Sequence, residues 1–370
     1  MIRISLNKKG KSMKITTSVL LFSLSSSLFA NNSLIEQAKT SGLKPIPNTP
    51  KELSKVIDPK GVITPKRVEL GKKLFFDPRV SKSGLISCNW CHNLGLGGVD
   101  GVSKAIGHKW AENPHALNSP TVYNAVFAKQ QFWNGRSKSL EDQAQGPIQA
   151  GVEMAMDYDL LAKRINSIPE YVKEFKEAYN KNIKIDIKSI ADSIAIFERT
   201  LVTPSRYDAF LYGDSKALSK EEQKGLQTFI DKGCVTCHNG IALGGDMRPF
   251  ELNSKYKYRD VGDFVKNNKM IKVPTLRNIT ETAPYFHNGQ IWDLREAIKE
   301  MSKVQVGYKV KKRTDNNQLS VNIIPISLTE KDIDNIMVFF KSLKGKKPQV
   351  TYPQLPESRV NTPRPISDIK

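Results

Sequence analysis

Apolar residues return at helical spacing in several separate stretches of the chain. Val68, Leu70, Leu74 and Phe75 follow Thr64-Pro65, an N-cap residue with proline at the first helical position, and the pattern stops near Asp77-Pro78. Ile187, Ile190, Ile194, Phe197 and Leu201 predict a second amphipathic helix. Ser219 and Glu222 form a capping box ahead of a third. A fourth starts at Thr329 with Asp332 in its first turn, and carries Ile333, Ile336, Phe340 and Leu343. A short helix is expected from Ser33 to Lys39, followed by an extended Pro-rich stretch from Pro45 to Pro50.

These helices belong to an internal repeat. Gly71-x-x-x-Phe75-x-Asp77 recurs as Gly225-x-x-x-Phe229-x-Asp231. Pro120-Thr121-Val122-Tyr123-Asn124 matches Pro274-Thr275-Leu276-Arg277-Asn278, and Phe132-Trp133-Asn134-Gly135 matches Phe286-His287-Asn288-Gly289. Leu140 and Leu294 follow at the same offset. The chain therefore reads as two copies of one mostly helical unit, with the boundary near Val202-Thr203-Pro204. This places the first unit at residues 31–202, the second at 203–345 and a Pro- and Lys-rich extended tail at 346–370, on the surface or disordered.

Each repeat contains the same cysteine motif, and the two copies use all four cysteines. Cys88-Asn89-Trp90-Cys91-His92 and Cys234-Val235-Thr236-Cys237-His238 read C-x-x-C-H, the attachment signature of a c-type haem. Cysteines three apart share a helical face, so both thiols reach the vinyl groups of one porphyrin, and the following histidine meets the iron. Zinc binding is the competing reading, but the copies are far apart and both carry the trailing histidine. A redox C-x-x-C of the thioredoxin kind does not need that histidine.

The first thirty residues predict a signal peptide. Arg3, Lys8, Lys9, Lys11 and Lys14 accompany an apolar, Ser-rich run from Ile15 to Phe29, and Ala30 ends it. The run is too short and serine-rich for a comfortable membrane span, though a retained anchor is the alternative. Met1 and Met13 are both candidate starts. Export agrees with covalent haem attachment outside the bacterial cytoplasm. Without the segment's five basic and no acidic residues, 52 Lys and Arg face 37 Asp and Glu, a formal +15. Export and covalent haem argue against nucleic acid as the partner of this positive charge. The charge points to an acidic electron donor, an anionic membrane surface or plain solubility.

The sixth iron ligands decide the chemistry. Beyond His92 and His238 the chain offers His108, His115 and His287. His108 ends a glycine-rich loop that begins at Leu94, which suits a removable distal ligand, with an ordinary loop histidine as the other reading. His115, beside Pro114, reads as a surface residue. In the second half Leu294, Ala297, Ile298 and Met301 form one helical stripe. A lone Met at that spacing is more often core, but beside a haem a His238/Met301 pair becomes reasonable, and thioether ligation raises the potential.

With these residues in hand, the sequence closely resembles bacterial di-haem cytochrome c peroxidases. The matching runs are Leu70 to Val80, Ile86 to Gly101, Gly107 to Trp110, Gln131 to Arg136, Gln149 to Met154, Lys272 to Asn278 and Tyr285 to Gly289. The resemblance implies a mainly α fold of two tandem class I cytochrome c-like haem domains in a periplasmic homodimer. It implies a low-potential N-terminal haem that meets hydrogen peroxide and a high-potential C-terminal haem that takes electrons from a small cytochrome c or similar donor. Carried over by motif, His92 and His108 bind the first iron at rest, and His238 and Met301 bind the second. Trp133 lies between the haems, where its other reading is a core tryptophan. Glu153 is the distal acid–base residue, with Gln143 nearby. Asn118, Thr282 and Pro284 hold a calcium ion at the interface, the last two through backbone carbonyls. Related oxidases that mature methylamine dehydrogenase have Tyr where this chain has Met301, which favours the peroxidase branch. A pure di-haem electron carrier would explain the haem motifs and Met301 but would give Glu153 and the His108 loop no role.

Overall fold

The computed structural model describes residues 33–249, 270–304 and 326–366. The expected signal segment and the last four residues of the tail lie outside the described residues. Helix α1 covers 33–40, followed by α2 (Pro50–Ile57), α3 (Pro65–Phe76), α4 (Cys88–Cys91), α5 (Leu140–Gln149), α6 (Tyr158–Asn166), α7 (Pro169–Ala178), α8 (Ile187–Arg199), α9 (Arg206–Leu211), α10 (Lys220–Asp231), α11 (Leu294–Val304) and α12 (Glu330–Ser342). Strands β1 (Met247–Pro249) and β2 (Met270–Lys272) pair antiparallel, with Met247 opposite Lys272. Among the described residues no helix is long and apolar enough to cross a membrane.

The helix ends follow from local chemistry. Thr64 accepts from the Arg67 amide and Pro65 opens α3. Asp186 with Ser189, Ser219 with Glu222, and Thr329 with Asp332 make capping boxes at the starts of α8, α10 and α12. Each half is built on one crossing of these helices. In the first, α3 packs on α8, with the rings of Phe75 and Phe197 5.3 Å apart. In the second, α10 packs on α12, with Phe229 and Phe339 5.4 Å apart. The repeated glycine sits at the crossing. A Cβ on Gly71 would stand 1.9 Å from the Ser193 carbonyl oxygen, and one on Gly225 would stand 2.2 Å from that of Asn335. The motif spacing in the sequence therefore encodes a helix-on-helix approach too close for any side chain.

The boundary residues join the two halves. Asn124 and Asn278, equivalent in the repeat, are both left-handed, with φ of 62° and 59°. Their amides donate to the same atom, Thr203 Oγ1, at 2.7 and 2.8 Å. Asn124 Oδ1 accepts from the Thr203 amide at 2.9 Å, and Asn278 Oδ1 accepts from the Gly345 amide at 2.8 Å. Thr203 is fully buried.

Both ends of the chain cross onto the opposite half. Leu34, Ile35, Ala38 and Leu43 join the core formed by α9, α10 and α12, although the sequence grouped residues 31–43 with the first unit. The Ile46 amide is held by Asp208 at 2.7 Å, which fixes that path. The described part of the tail is extended, and from Tyr352 to Ile366 it makes several bonds to the first half. Tyr352 accepts from Asn89 of the haem motif at 3.0 Å and its ring packs on Phe76. The buried Arg164 donates to the carbonyls of Pro363 and Arg364, and the Ile366 amide donates to the Lys82 carbonyl.

Thr203→Val keeps the shape of the side chain and removes the acceptor of two buried amides. The expected loss is about 1–3 kcal/mol for each amide left unmatched. It should appear as a lower denaturant midpoint of the holoprotein, with Thr203→Ser near wild type. Equal midpoints for Thr203→Val and wild type would show that this clasp does not hold the halves.

Candidate haem sites and the seam between them

In the second half Gly233, with φ of 75°, ends α10 and starts the turn Cys234–Thr236. The His238 amide returns to the Cys234 carbonyl at 3.0 Å, which sets the ring beneath the two thiols. His238 Nδ1–H donates to the Leu243 carbonyl at 3.1 Å, so Nε2 is the nitrogen left to bind a metal. Burial pushes this imidazole down to about 4, so it is neutral and its lone pair is available. Cys234, Cys237 and His238 line one wall of a mainly apolar cavity of about 600 Å³. Met301 and Ile298 on α11 line it as well, so the stripe read from the sequence faces the cavity. Burial raises the Cys234 thiol to about 12. A neutral thioether suits such a position better than a thiolate, because it needs no counter-charge. The donor set, the cavity and its apolar lining fit a covalently held haem.

The first half repeats this arrangement. The His92 amide bonds the Cys88 carbonyl at 2.9 Å, and Nδ1–H donates to the Pro120 carbonyl at 3.0 Å. Burial lowers the His92 pKa, opposed by Asp100 and by the carbonyls of Pro120 and Gly98. Burial likewise raises both thiols, Cys91 to about 12 and Cys88 higher. Pro120 and Pro274 thus begin the repeated segments that run behind each haem histidine. Thr121 bonds the Gly97 carbonyl at 2.7 Å and Thr275 bonds that of Ala242 at 2.6 Å, fixing both segments in the same way.

Two glycines of the glycine-rich loop make close contacts in this conformation. A Cβ on Gly97 would lie 2.5 Å from the Glu281 carbonyl of the other half, and one on Gly98 would lie 2.8 Å from Thr121 Oγ1. His108 is buried, and its amide donates to the Glu153 carbonyl at 2.7 Å. Gly107 lies flat on the Val152-Glu153 backbone. Trp90 of the haem motif donates to the Ile106 carbonyl at 2.7 Å, and its ring meets Trp110 edge-on at 5.3 Å. Strain sits just after His108: Lys109 and Trp110 have φ of 62° and 57°.

Glu153 is half-buried. Burial raises its pKa, Arg136 and His115 oppose this, and its charge is felt at the Cys91 thiol. Arg136, to which the sequence assigned no role, stacks 3.3 Å over the Phe132 ring and is itself lowered by burial. No spacing rule marks it, since its charge acts on Glu153 across space. His115 is exposed, as expected. Gln143 is half-buried in the first turn of α5, and among the described residues no hydrogen bond joins it to Glu153.

The halves meet in a reciprocal exchange. Trp133 and His287 are repeat-equivalent, and their rings meet edge-on at 6.2 Å. The Asn118 amide donates to the His287 carbonyl at 2.7 Å, while the amide of its equivalent, Lys272, donates to the Trp133 carbonyl at 2.8 Å. Trp133 is buried, donates Nε1–H to the Asn118 carbonyl at 2.9 Å, and lines the C-terminal cavity. Asn118 Nδ2 donates to the carbonyls of Pro284 and Phe286 at 2.7 and 3.1 Å. Thr282 and Pro284 line the same cavity. Among the described residues no group of three His, Cys, Asp or Glu side chains forms a metal site, so a cation at Asn118 would rest on neutral oxygens.

Residues 65–216 match the model of the di-haem cytochrome c peroxidases, and residues 222–344 match that of cytochrome c. The chain is 43% identical to the cytochrome c551 peroxidase of Pseudomonas aeruginosa, over 94% of this chain and 96% of that one. It is 40% identical to the cytochrome c551 peroxidase of Nitrosomonas europaea, over 83% and 90%. A solved MauG-like protein associated with microbial copper homeostasis superposes with a TM-score of 0.64 at 23% identity, over 82% of this chain and 93% of that one, and supports the fold. The repeated haem motif, the two helical cores and these relatives agree: the chain belongs to the di-haem cytochrome c peroxidases, oxidoreductases with two c-type haems.

Proposed function

We propose that this peroxidase reduces hydrogen peroxide to water at its N-terminal haem, with electrons that a small cytochrome c delivers through the C-terminal haem. One observation carries the reading. The peptide that bears the acid–base candidate Glu153 is hydrogen-bonded to the peptide that bears the gate candidate His108, at 2.7 Å, beside the first haem motif. Displacing the gate would therefore disturb the backbone that carries the proton-transfer group.

The haems, when bound, supply redox-active iron and a store for single electrons. The chain's residues do the rest. His92 and His238 would hold iron through Nε2, each kept in that tautomer by a backbone carbonyl. Met301, on the cavity wall, would be the further iron ligand of the second site and would keep it closed. His108 would be the removable ligand of the first site, released once the second site is reduced. Glu153 takes the proton from the peroxide oxygen nearest the first site and returns it to the departing oxygen. Its raised pKa suits both acts, and Arg136 steadies the carboxylate between them. Gln143 lends a donor beside it. Two electrons and two further protons complete two waters. Trp133, buried at the seam, lies on the path between the halves.

The same reading places residues 1–30 as a signal peptide, the protein in the periplasm, and the working unit as a homodimer. It divides the chain into an N-terminal haem domain to residue 202, a C-terminal one from 203 to 345, and a tail. Calcium would sit at Asn118 with the carbonyls of Thr282 and Pro284. Among the described residues Asn118 Oδ1 is buried with no hydrogen-bond partner, and turning the amide over would set it against the Pro284 carbonyl, which suits a hard cation.

Glu153→Gln should still bind peroxide but turn over about 10²–10⁴-fold more slowly in steady-state oxidation of reduced cytochrome c. Undiminished turnover removes Glu153 from the mechanism. His108→Gly should react with peroxide in stopped flow without prior reduction; if it still requires a reductant, the gate lies elsewhere. Asn118→Ala should lose calcium binding in isothermal titration, and unchanged binding would move the cation to another site.

A further inference from the structure

Lys272 is buried in the C-terminal cavity wall, and among the described residues no acid is paired with it. Its backbone makes the reciprocal bond to Trp133, so its position is fixed at the seam. Its repeat-equivalent, Asn118, spends its amide on two carbonyls of the other half. Lys272 makes no side-chain hydrogen bond or ion pair among the described residues, and it lines the cavity that also holds Cys234, His238 and Trp133. The other charged residues on that wall leave it unmatched. Arg248 is paired with Asp246 at 3.0 Å, Asp231 is an exposed residue that accepts from Gln227, and Lys232 is paired with Asp332. The charge of Lys272 is also felt at His92, so it stands between the two haem sites.

An ammonium held out of water needs an anion close by. Desolvation alone pushes this one down to about 8. Among the described residues none supplies that anion, and the group the cavity accommodates brings carboxylates of its own. We propose that Lys272 is the counter-ion of the propionate carboxylates of the haem in the C-terminal cavity, and that its charge raises the reduction potential of that site. Reduction adds an electron, which a fixed nearby cation stabilises. Met301 and Lys272 then act in the same direction, one at the iron and one at the rim of the ring, and both favour electron capture by the second half. This inference rests on the assignment of a haem to that cavity.

The test is spectroelectrochemical titration of both haems in the purified holoprotein, with Lys272→Met, Lys272→Gln and Lys272→Arg. Lys272→Met and Lys272→Gln should lower the one-electron reduction equilibrium of the C-terminal haem about tenfold, about 59 mV, while Lys272→Arg stays within about threefold of wild type. The propionate bending band of that haem in resonance Raman should move in the two neutral variants and stay in Lys272→Arg. A C-terminal midpoint unmoved in both neutral variants, or one that moves as far in Lys272→Arg, would overturn the proposal. Haem content by the pyridine haemochrome assay separates the failures. Fewer than two haems in the wild type defeats the assignment of the cavity. Two haems with an unmoved midpoint defeat Lys272 alone.

Discussion

A histidine that binds iron must hold its other ring nitrogen still, and in this protein a backbone carbonyl does so in both halves. The Nδ1 bonds of His92 to Pro120 and of His238 to Leu243 select the tautomer, orient the ring and leave Nε2 to the metal. Much of the local architecture makes those carbonyls available. Thr121 and Thr275 brace the segments behind the rings, and left-handed Asn124 and Asn278 turn the chain back to the helices that close each core. The helix crossings at Gly71 and Gly225 then bring the cysteine turns against those segments.

Duplication alone would make two equal sites, and the differences arise at the seam. The exchange of backbone bonds between Asn118 and His287, and between Lys272 and Trp133, is nearly symmetric. The side chains are not. Trp133 faces His287, and Asn118 stands where the second half has Lys272. One half therefore offers a wide aromatic ring and a neutral amide, and the other an imidazole kept neutral by burial and an ammonium. Added to Met301 on one side and the His108–Glu153 peptide pair on the other, this gives one scaffold two electrostatic environments. Unequal environments are what a protein needs if one iron is to receive electrons and the other to use them.

The crossed chain ends strengthen that union. The buried bidentate pair of Arg277 with Asp208, at 2.7 Å, sits where the N-terminal segment enters the second core, and Asp208 also holds the Ile46 amide. At the other end the tail reaches Asn89 inside the first haem motif. A buried ion pair is retained here with its remaining oxygens satisfied, the condition under which its desolvation is offset. The two halves are thus tied at Thr203 and again by both termini.

Much of this was legible in the sequence because the signals are local. Caps, helix faces and C-x-x-C-H spacing act within a few residues, and the repeat showed that whatever held one haem would be built twice. The positions of His92, His238 and the Met301 stripe followed from that. Contacts between distant segments were not legible. Gly97 and Gly98, read only as part of a glycine-rich loop, are also points of close approach, because a missing Cβ serves either purpose and only the neighbour decides which. Arg136 acts electrostatically on Glu153, Lys272 faces the cavity without an ion pair among the described residues, and residues 34–43 join the second core, all through approaches between remote parts of the chain. Sequence periodicity determines which face of an element is apolar. What that face meets, and which charge is left without a partner, is settled only when the elements pack, because burial and Coulomb energy depend on distance in space.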